Sequence, residues 1–132
     1  MNVKISKNQF SAWNEGRPII RIDYHGYVVN LIANDPISLI EGPGKISGKK
    51  AIVFTYQPGR TFGRVIDFGE YGAEDYLTGA SDEKRESYLA RAMNIRDGKG
   101  RLTALDSYTA NHWSIKFLWG YTPRLNSKYI KR

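Results

Sequence analysis

The chain has no cysteine. That excludes disulfides, thiolate metal sites and a cysteine nucleophile, and it suits either redox compartment. There are two histidines, His25 and His112. Neither has the neighbours at the spacing that a triad or a metal pair needs, so the expectation is a protein with no catalytic constellation, no metal site and no cofactor. No apolar run approaches the length of a membrane span. Met1 to Phe10 carries Lys4 and Lys7 and lacks the apolar core of a signal peptide. The expected setting has no membrane and is intracellular, or inside a particle made in a cytoplasm. Internal repeats, heptads and low-complexity stretches are also missing.

What is present is an ordinary globular composition, with 41% hydrophobic and 25% charged residues in 132. By length this is one domain, and it can bury about two-thirds of its unfolded surface. The formal net charge of +7 is unevenly spread. Lys45, Lys49, Lys50, Arg60 and Arg64 follow one another with no acid between them. Asp67 to Glu86 holds seven acids against Lys84 and Arg85. Tyr121 to Arg132 holds Arg124, Lys128, Lys131 and Arg132 with no acid. Segregation of this kind suits a polyanion partner, or self-association through opposite patches.

The pattern along the chain reads as α+β, with strands first and helices later. Short runs suited to strands occur at Val3–Ile5, Ile19–Ile32 (with a turn or bulge at His25-Gly26), Ile37–Ile40, Ala51–Tyr56 and Phe62–Phe68. Pro58-Gly59 turns the chain between the last two. The expectation is a small antiparallel sheet or partial barrel of about five strands. Ser81 or Asp82 then caps a helix whose apolar stripe is Tyr88, Leu89, Ala92 and Ile95, and Asp97-Gly98-Lys99-Gly100 ends it. A second helix starts near Thr109 or Asn111 and stops at Gly120. Trp113, Phe117 and Leu118 are its buried face, with Lys116 pointing outward, and together with Tyr88 and Trp119 they are the chain's candidate core or interface residues. Residues 1–70 are thus mainly strands, 81–120 two helices and 121–132 a basic tail, in which Leu125, Tyr129 and Ile130 are anchors for docking.

A run of motifs carries a resemblance. Phe68-Gly69, Gly72, Asp75-Tyr76, Arg85, Tyr88, Arg91, Thr109-Ala110, Trp113-Ser114 and Leu118-Trp119 stand in order between Asp67 and Leu125. In these the chain resembles an uncharacterised family of small basic proteins of large DNA viruses and environmental phages. Arg91-Ala92 stands where that family has arginine–histidine. The resemblance implies a viral or phage origin and carries no activity.

Two groupings remain to be weighed. Asp67, Glu70, Glu74 and Asp75 form an acidic cluster whose spacing matches no cation loop; Asp75 suits a cap or an ion pair with Arg85 or Arg91. Gly42, Gly44 and Gly48 before Lys49-Lys50 imitate a phosphate loop, but a strand follows instead of a helix, so a basic hairpin loop is the better reading. The basic residues Lys45, Lys49, Lys50, Arg60 and Arg64 flank the aromatics Phe54, Tyr56 and Phe62. Cations framing aromatic rings are how small sheets hold single strands, although Ile52, Phe54 and Tyr56 share one face and suit a core equally well.

Two functions follow as expectations. The first is a non-enzymatic viral or phage accessory protein, a virion-associated component that lines, cements or adapts a capsid, meeting viral structural proteins or its own copies, in the virion or the host cytoplasm. The alternative is a DNA- or RNA-binding protein that uses the basic, aromatic-flanked sheet surface with the basic tail.

Overall fold

The structure, a computed structural model, describes residues 2–14, 20–24, 27–33, 49–70, 72–123 and 128–131. Its contacts group into two compact units, 1–71 and 72–132. The class is α+β, as the order of patterns implies.

The first unit is an antiparallel sheet with one helix. Its strands are β1 (Asn2–Ser6), β2 (Ile20–Tyr24), β3 (Tyr27–Ala33), β4 (Lys49–Tyr56) and β5 (Phe62–Glu70), ordered β1-β5-β4-β3-β2. The single run read at Ile19–Ile32 is two strands, paired from Ile20↔Leu31 to Tyr24↔Tyr27. The run Ile37–Ile40 and the glycine loop with Lys45 lie outside the described residues. β4 and β5 pair from Lys49↔Glu70 to Thr55↔Arg64. Their connection is a turn in which Pro58 precedes Gly59 at φ 82° and the Arg60 amide donates to the Gln57 carbonyl at 3.0 Å. Proline first and a positive-φ glycine second is the chemistry of a type II turn.

Period-2 alternation divides the side chains of β4 between two faces. Ile52 and Phe54 point to one face, with Ile5 of β1 and Val65 of β5, and form a buried cluster. Ala51, Val53 and Thr55 are buried on the other, with Ile66 and Phe68.

A helix that the alternating reading of Met1–Phe10 does not anticipate covers the first face. This is α1 (Lys7–Asn14). Its start is a capping box: the Ser6 hydroxyl accepts the Gln9 amide at 3.1 Å, and the Gln9 side-chain carbonyl accepts the Ser6 amide at 2.9 Å. From α1, Phe10 stacks on Phe54, ring centroids 4.3 Å apart and planes 10° from parallel. Gly63, opposite Ile5, makes room for that stack. A Cβ there would lie 2.4 Å from the Thr55 carbonyl oxygen, 2.8 Å from Tyr56 Cβ and 2.9 Å from Phe54 Cε1.

In the second unit, α2 (Asp82–Ala92) begins where read. The Ser81 hydroxyl accepts the Lys84 amide, Asp82 and Glu83 occupy the positive first turn and Arg91 the last. It ends earlier than its apolar stripe suggests, and Ile95 is 50% exposed. The chain instead turns at Met93–Asn94 into a short hairpin closed by an Arg96–Leu102 bridge. Asp97 holds that hairpin's tip. Its carboxylate accepts the amides of Lys99 (2.8 Å) and Arg101 (3.0 Å) and the Arg101 guanidinium (3.0 Å).

A 3₁₀ turn at Thr103–Leu105 leads to α3 (Ala110–Trp113), which Thr109 caps. The expected longer helix continues as a π-helical turn over Ser114–Leu118. Trp113 is fully buried, its indole N–H donating to the Ser107 carbonyl at 2.7 Å, with half-buried Phe117 stacked on it. Leu118 and Trp119 are buried, and Trp119 stacks on Tyr88 at 4.2 Å. Lys116 is only half-exposed, and burial lowers its pKa. Of the tail, Tyr129 docks: it is buried, its hydroxyl donates to Glu86 Oε1 at 2.7 Å and its carbonyl accepts from Asn94 Nδ2 at 2.6 Å. Ile130 is half-buried and Lys131 exposed, while Leu125, Arg124 and Arg132 lie outside the described residues.

Two predictions follow from this packing. Gly63→Ala overpacks the β4–β5 ladder beneath Phe54 and lowers stability by about 1–3 kcal/mol, read from urea unfolding; unchanged stability contradicts the close approach. At Asp97 the amide of Arg101, then that of Lys99 and the Arg101 side chain, hold the carboxyl below its ordinary value against a weaker opposing effect of burial. A pKa lower in the folded than in the unfolded chain stabilises the hairpin above the unfolded value and is lost as pH falls through the folded one. The Lys99 and Arg101 amide resonances therefore shift only below the ordinary aspartate range, and Asp97→Asn abolishes that titration. Persistence of the titration in the variant assigns it to another group.

Candidate nucleic-acid interface

The basic residues that follow one another in sequence do not stay together. Lys49 opens β4 opposite Glu70, whereas Arg64 lies opposite Thr55 near the other end of that strand. At about 3.3 Å per residue the two are separated by roughly 20 Å of sheet. A basic stretch that wraps a hairpin is thereby divided between the two ends of the ladder. The Lys50 side chain and Lys45 lie outside the described residues. Lys128 and Lys131 belong to the second unit, where Lys128 Nζ comes within 4.0 Å of Glu86 and over the Tyr129 ring.

The end of the sheet that keeps Arg60 and Arg64 gains two cations from elsewhere in the chain. β1 runs antiparallel to β5 with Asn2↔Ile66, Lys4↔Arg64 and Ser6↔Phe62. The Lys7 amide donates to the Thr61 carbonyl at 2.9 Å, fastening the start of α1 to the β4–β5 turn. Lys4, Lys7, Arg60 and Arg64 thus lie at one end of the sheet, Lys4 and Arg64 on the face opposite Ile5 and Phe54 and Lys7 on the face that α1 covers. Neither segment that supplies them, 2–12 or 54–66, contains an acid.

Aromatic rings sit among these charges. Lys4 Nζ lies 5.4 Å from the centroid of Phe62, and Lys7 Nζ lies 4.4 Å from that of Tyr56. Phe62 is 53% exposed. Lys4 and Arg60 are exposed, while Lys7 and Arg64 are half-exposed. Arg64 is oriented by a 2.9 Å hydrogen bond from Nη1 to Asn2 Oδ1. Lysine directly opposite arginine on adjacent strands is an arrangement that costs stability, on the order of 0.2–1 kcal/mol. An anion bridging the two reverses the sign of that interaction.

Sequence reasoning found Arg60 and Arg64 and missed Lys4 and Lys7 as site residues. The missing information is the β1–β5 register, which joins positions about sixty residues apart and leaves no local trace.

The other expected sites are placed as follows. The four acids divide between the two units: in the first, Asp67 is buried in β5 and Glu70 ends that strand; in the second, Glu74 pairs with Lys84 at 2.7 Å and buried Asp75 accepts the Thr78 amide at 2.9 Å in a local turn. Arg85 donates to the carbonyls of Trp119 (2.8 Å) and Gly120 (3.0 Å) and lies over the Tyr76 ring. Tyr76 in turn donates its hydroxyl to Asp82, which raises its pKa. His112 is buried with Nδ1 2.7 Å from the Ala104 carbonyl oxygen, and His25 lies outside the described residues. Among the described residues no three histidine, aspartate or glutamate side chains gather as a metal site, and no helix is long and apolar enough to cross a membrane.

Residues 43–92 match a family of unknown function, DUF5754. The chain is similar to that family from the segment before β4 through β4, β5 and α2. The similarity shares residues 67–92 with the motif run noted in the sequence; it begins earlier and stops short of Trp113-Ser114 and Leu118-Trp119. Arg60, Phe62 and Arg64 fall within it, Lys4 and Lys7 outside. No curated protein and no solved structure matches the chain.

Proposed function

We propose that this chain is a nucleic-acid-binding protein whose site is the end of the sheet where β1, α1 and the β4–β5 turn meet. One observation carries the reading: at this end of the sheet Lys4 and Arg64 flank the exposed Phe62 ring on one face, Lys7 lies over Tyr56 on the other, Arg60 sits in the turn that joins them, and the two segments that supply these cations contain no acid. Cations meet phosphate, and their release of counterions supplies sequence-independent affinity. Exposed rings add a surface that bases can stack on. The setting, taken from the resemblance over Asp67–Leu125, is an accessory protein of a virus or phage.

A second reading, a virion-associated component that meets a partner protein, draws on the second unit. Leu77 is 71% exposed and Ile95 50%, and large apolar side chains left in water suit a protein contact.

Salt dependence tests the first reading. Fluorescence anisotropy of a labelled oligonucleotide, followed across a salt series, gives a log–log slope of about −0.7 per phosphate contact on a single strand. The triple variant Lys4→Ala, Lys7→Ala, Arg60→Ala flattens it by about two units. Absence of binding at low salt, or a triple variant with the wild-type slope, removes the site from this end of the sheet. The second reading expects many copies in nuclease-treated particles and fails if there are none.

A further inference from the structure

Phe62 is the least expected residue at this site. It begins β5 directly after the turn, on the strand face that carries Arg64, and it is more than half exposed. A phosphate-only surface has no use for such a ring, because cations alone meet the backbone of a duplex. Base faces are accessible to a protein ring only where the strand is unpaired or splayed.

The charges around Phe62 are arranged for one strand. Lys4 sits on the Phe62 ring and faces Arg64 across the β1–β5 pair, on the face opposite the one where Lys7 sits on the Tyr56 ring. Lys4 is held beside the Phe62 ring, so a phosphate and its neighbouring base can be met together. The exposed part of this face spans the two adjacent strands β1 and β5, about 4.8 Å apart, because Thr55, beside Arg64 on β4, is buried. That width accommodates a single backbone with its bases turned inward and contacts only a narrow strip of a duplex.

Resting on the nucleic-acid reading above, we propose that the site selects unpaired strands, with a base stacked on Phe62 and the flanking phosphates on Lys4, Arg60 and Arg64. The chemistry is common to single-stranded DNA and single-stranded RNA. It requires no particular base, since every base presents a π-face.

The test is anisotropy of the full chain with four labelled probes: a 12-nucleotide oligo-dT, an oligo-U of equal length, an abasic strand of equal length and a 12-base-pair duplex. Phe62→Ala and Phe62→Tyr are compared with wild type, and circular dichroism checks that each is folded. The expected result is binding of oligo-dT or oligo-U roughly tenfold or more tighter than the abasic strand and the duplex. Phe62→Ala removes that advantage and leaves the other two affinities unchanged, and Phe62→Tyr restores it. Preference for one of the two homopolymers tells which nucleic acid is the source. Equal binding of all four probes, unaffected by Phe62→Ala, overturns the selection of unpaired strands while the nucleic-acid reading stands. No binding of any probe by folded wild type overturns both.

Discussion

The stack of Phe10 on Phe54 is the contact on which the rest of the first unit depends. It joins a short helix to the middle of a sheet, and it is possible only because position 63 has no side chain. A methyl group at that position would meet the Thr55 carbonyl and the Phe54 ring at less than 3 Å. With the space open, the ring lies flat over the β4–β5 ladder and Phe10 covers it at 4.3 Å. The helix is then fixed at both ends of its first turns, by this stack and by the Lys7 amide on the Thr61 carbonyl. Its cation Lys7 is carried to the Tyr56 ring as a consequence. A core requirement and a surface charge pattern therefore share one cause.

The segments nearest the site use few specialised residues. The β4–β5 turn needs only proline and a glycine at positive φ, and α1 needs only the serine–glutamine box. What the fold adds is juxtaposition. Lys4 faces Arg64 in the β-ladder, where like charges oppose each other, and Phe62 is left in water beside them. Both features are unfavourable for an isolated domain, and under the proposed function a strand of nucleic acid would relieve both.

Much of this was legible locally. Alternation at Ala51–Tyr56 and Phe62–Phe68, the Pro58-Gly59 turn and the Ser81 cap each depend on neighbours a few residues away, whereas the partners that dock Tyr129, Glu86 and Asn94, lie 43 and 35 residues back. α1 was missed although Ser6 and Gln9 stand at the spacing of a capping box; the helix is two turns long, and the alternating residues before it suggest a strand. The end of α2 was misplaced because Ile95 continues the apolar period, whereas the Arg96–Leu102 bridge and Asn94's hydrogen bond to the Ala90 carbonyl redirect the chain. The site itself was half legible. Grouping cations by sequence proximity combined Lys49 with Arg60 and Arg64 and separated them from Lys4 and Lys7. Only strand register corrects such a grouping, because a hairpin sends neighbours in sequence to opposite ends and β1 brings distant residues back.

The most direct measurement of the central claim is a map of the contact surface. Two-dimensional amide NMR of the labelled protein, titrated with a short unpaired oligonucleotide at low salt, reports every backbone position at once. The account predicts that the largest shifts fall on residues 4–7 and 60–64, with Lys49 and the hairpin at Asp97 unmoved. Shifts confined to residues 72–131, or centred on Lys49 with residues 4–7 silent, would contradict it.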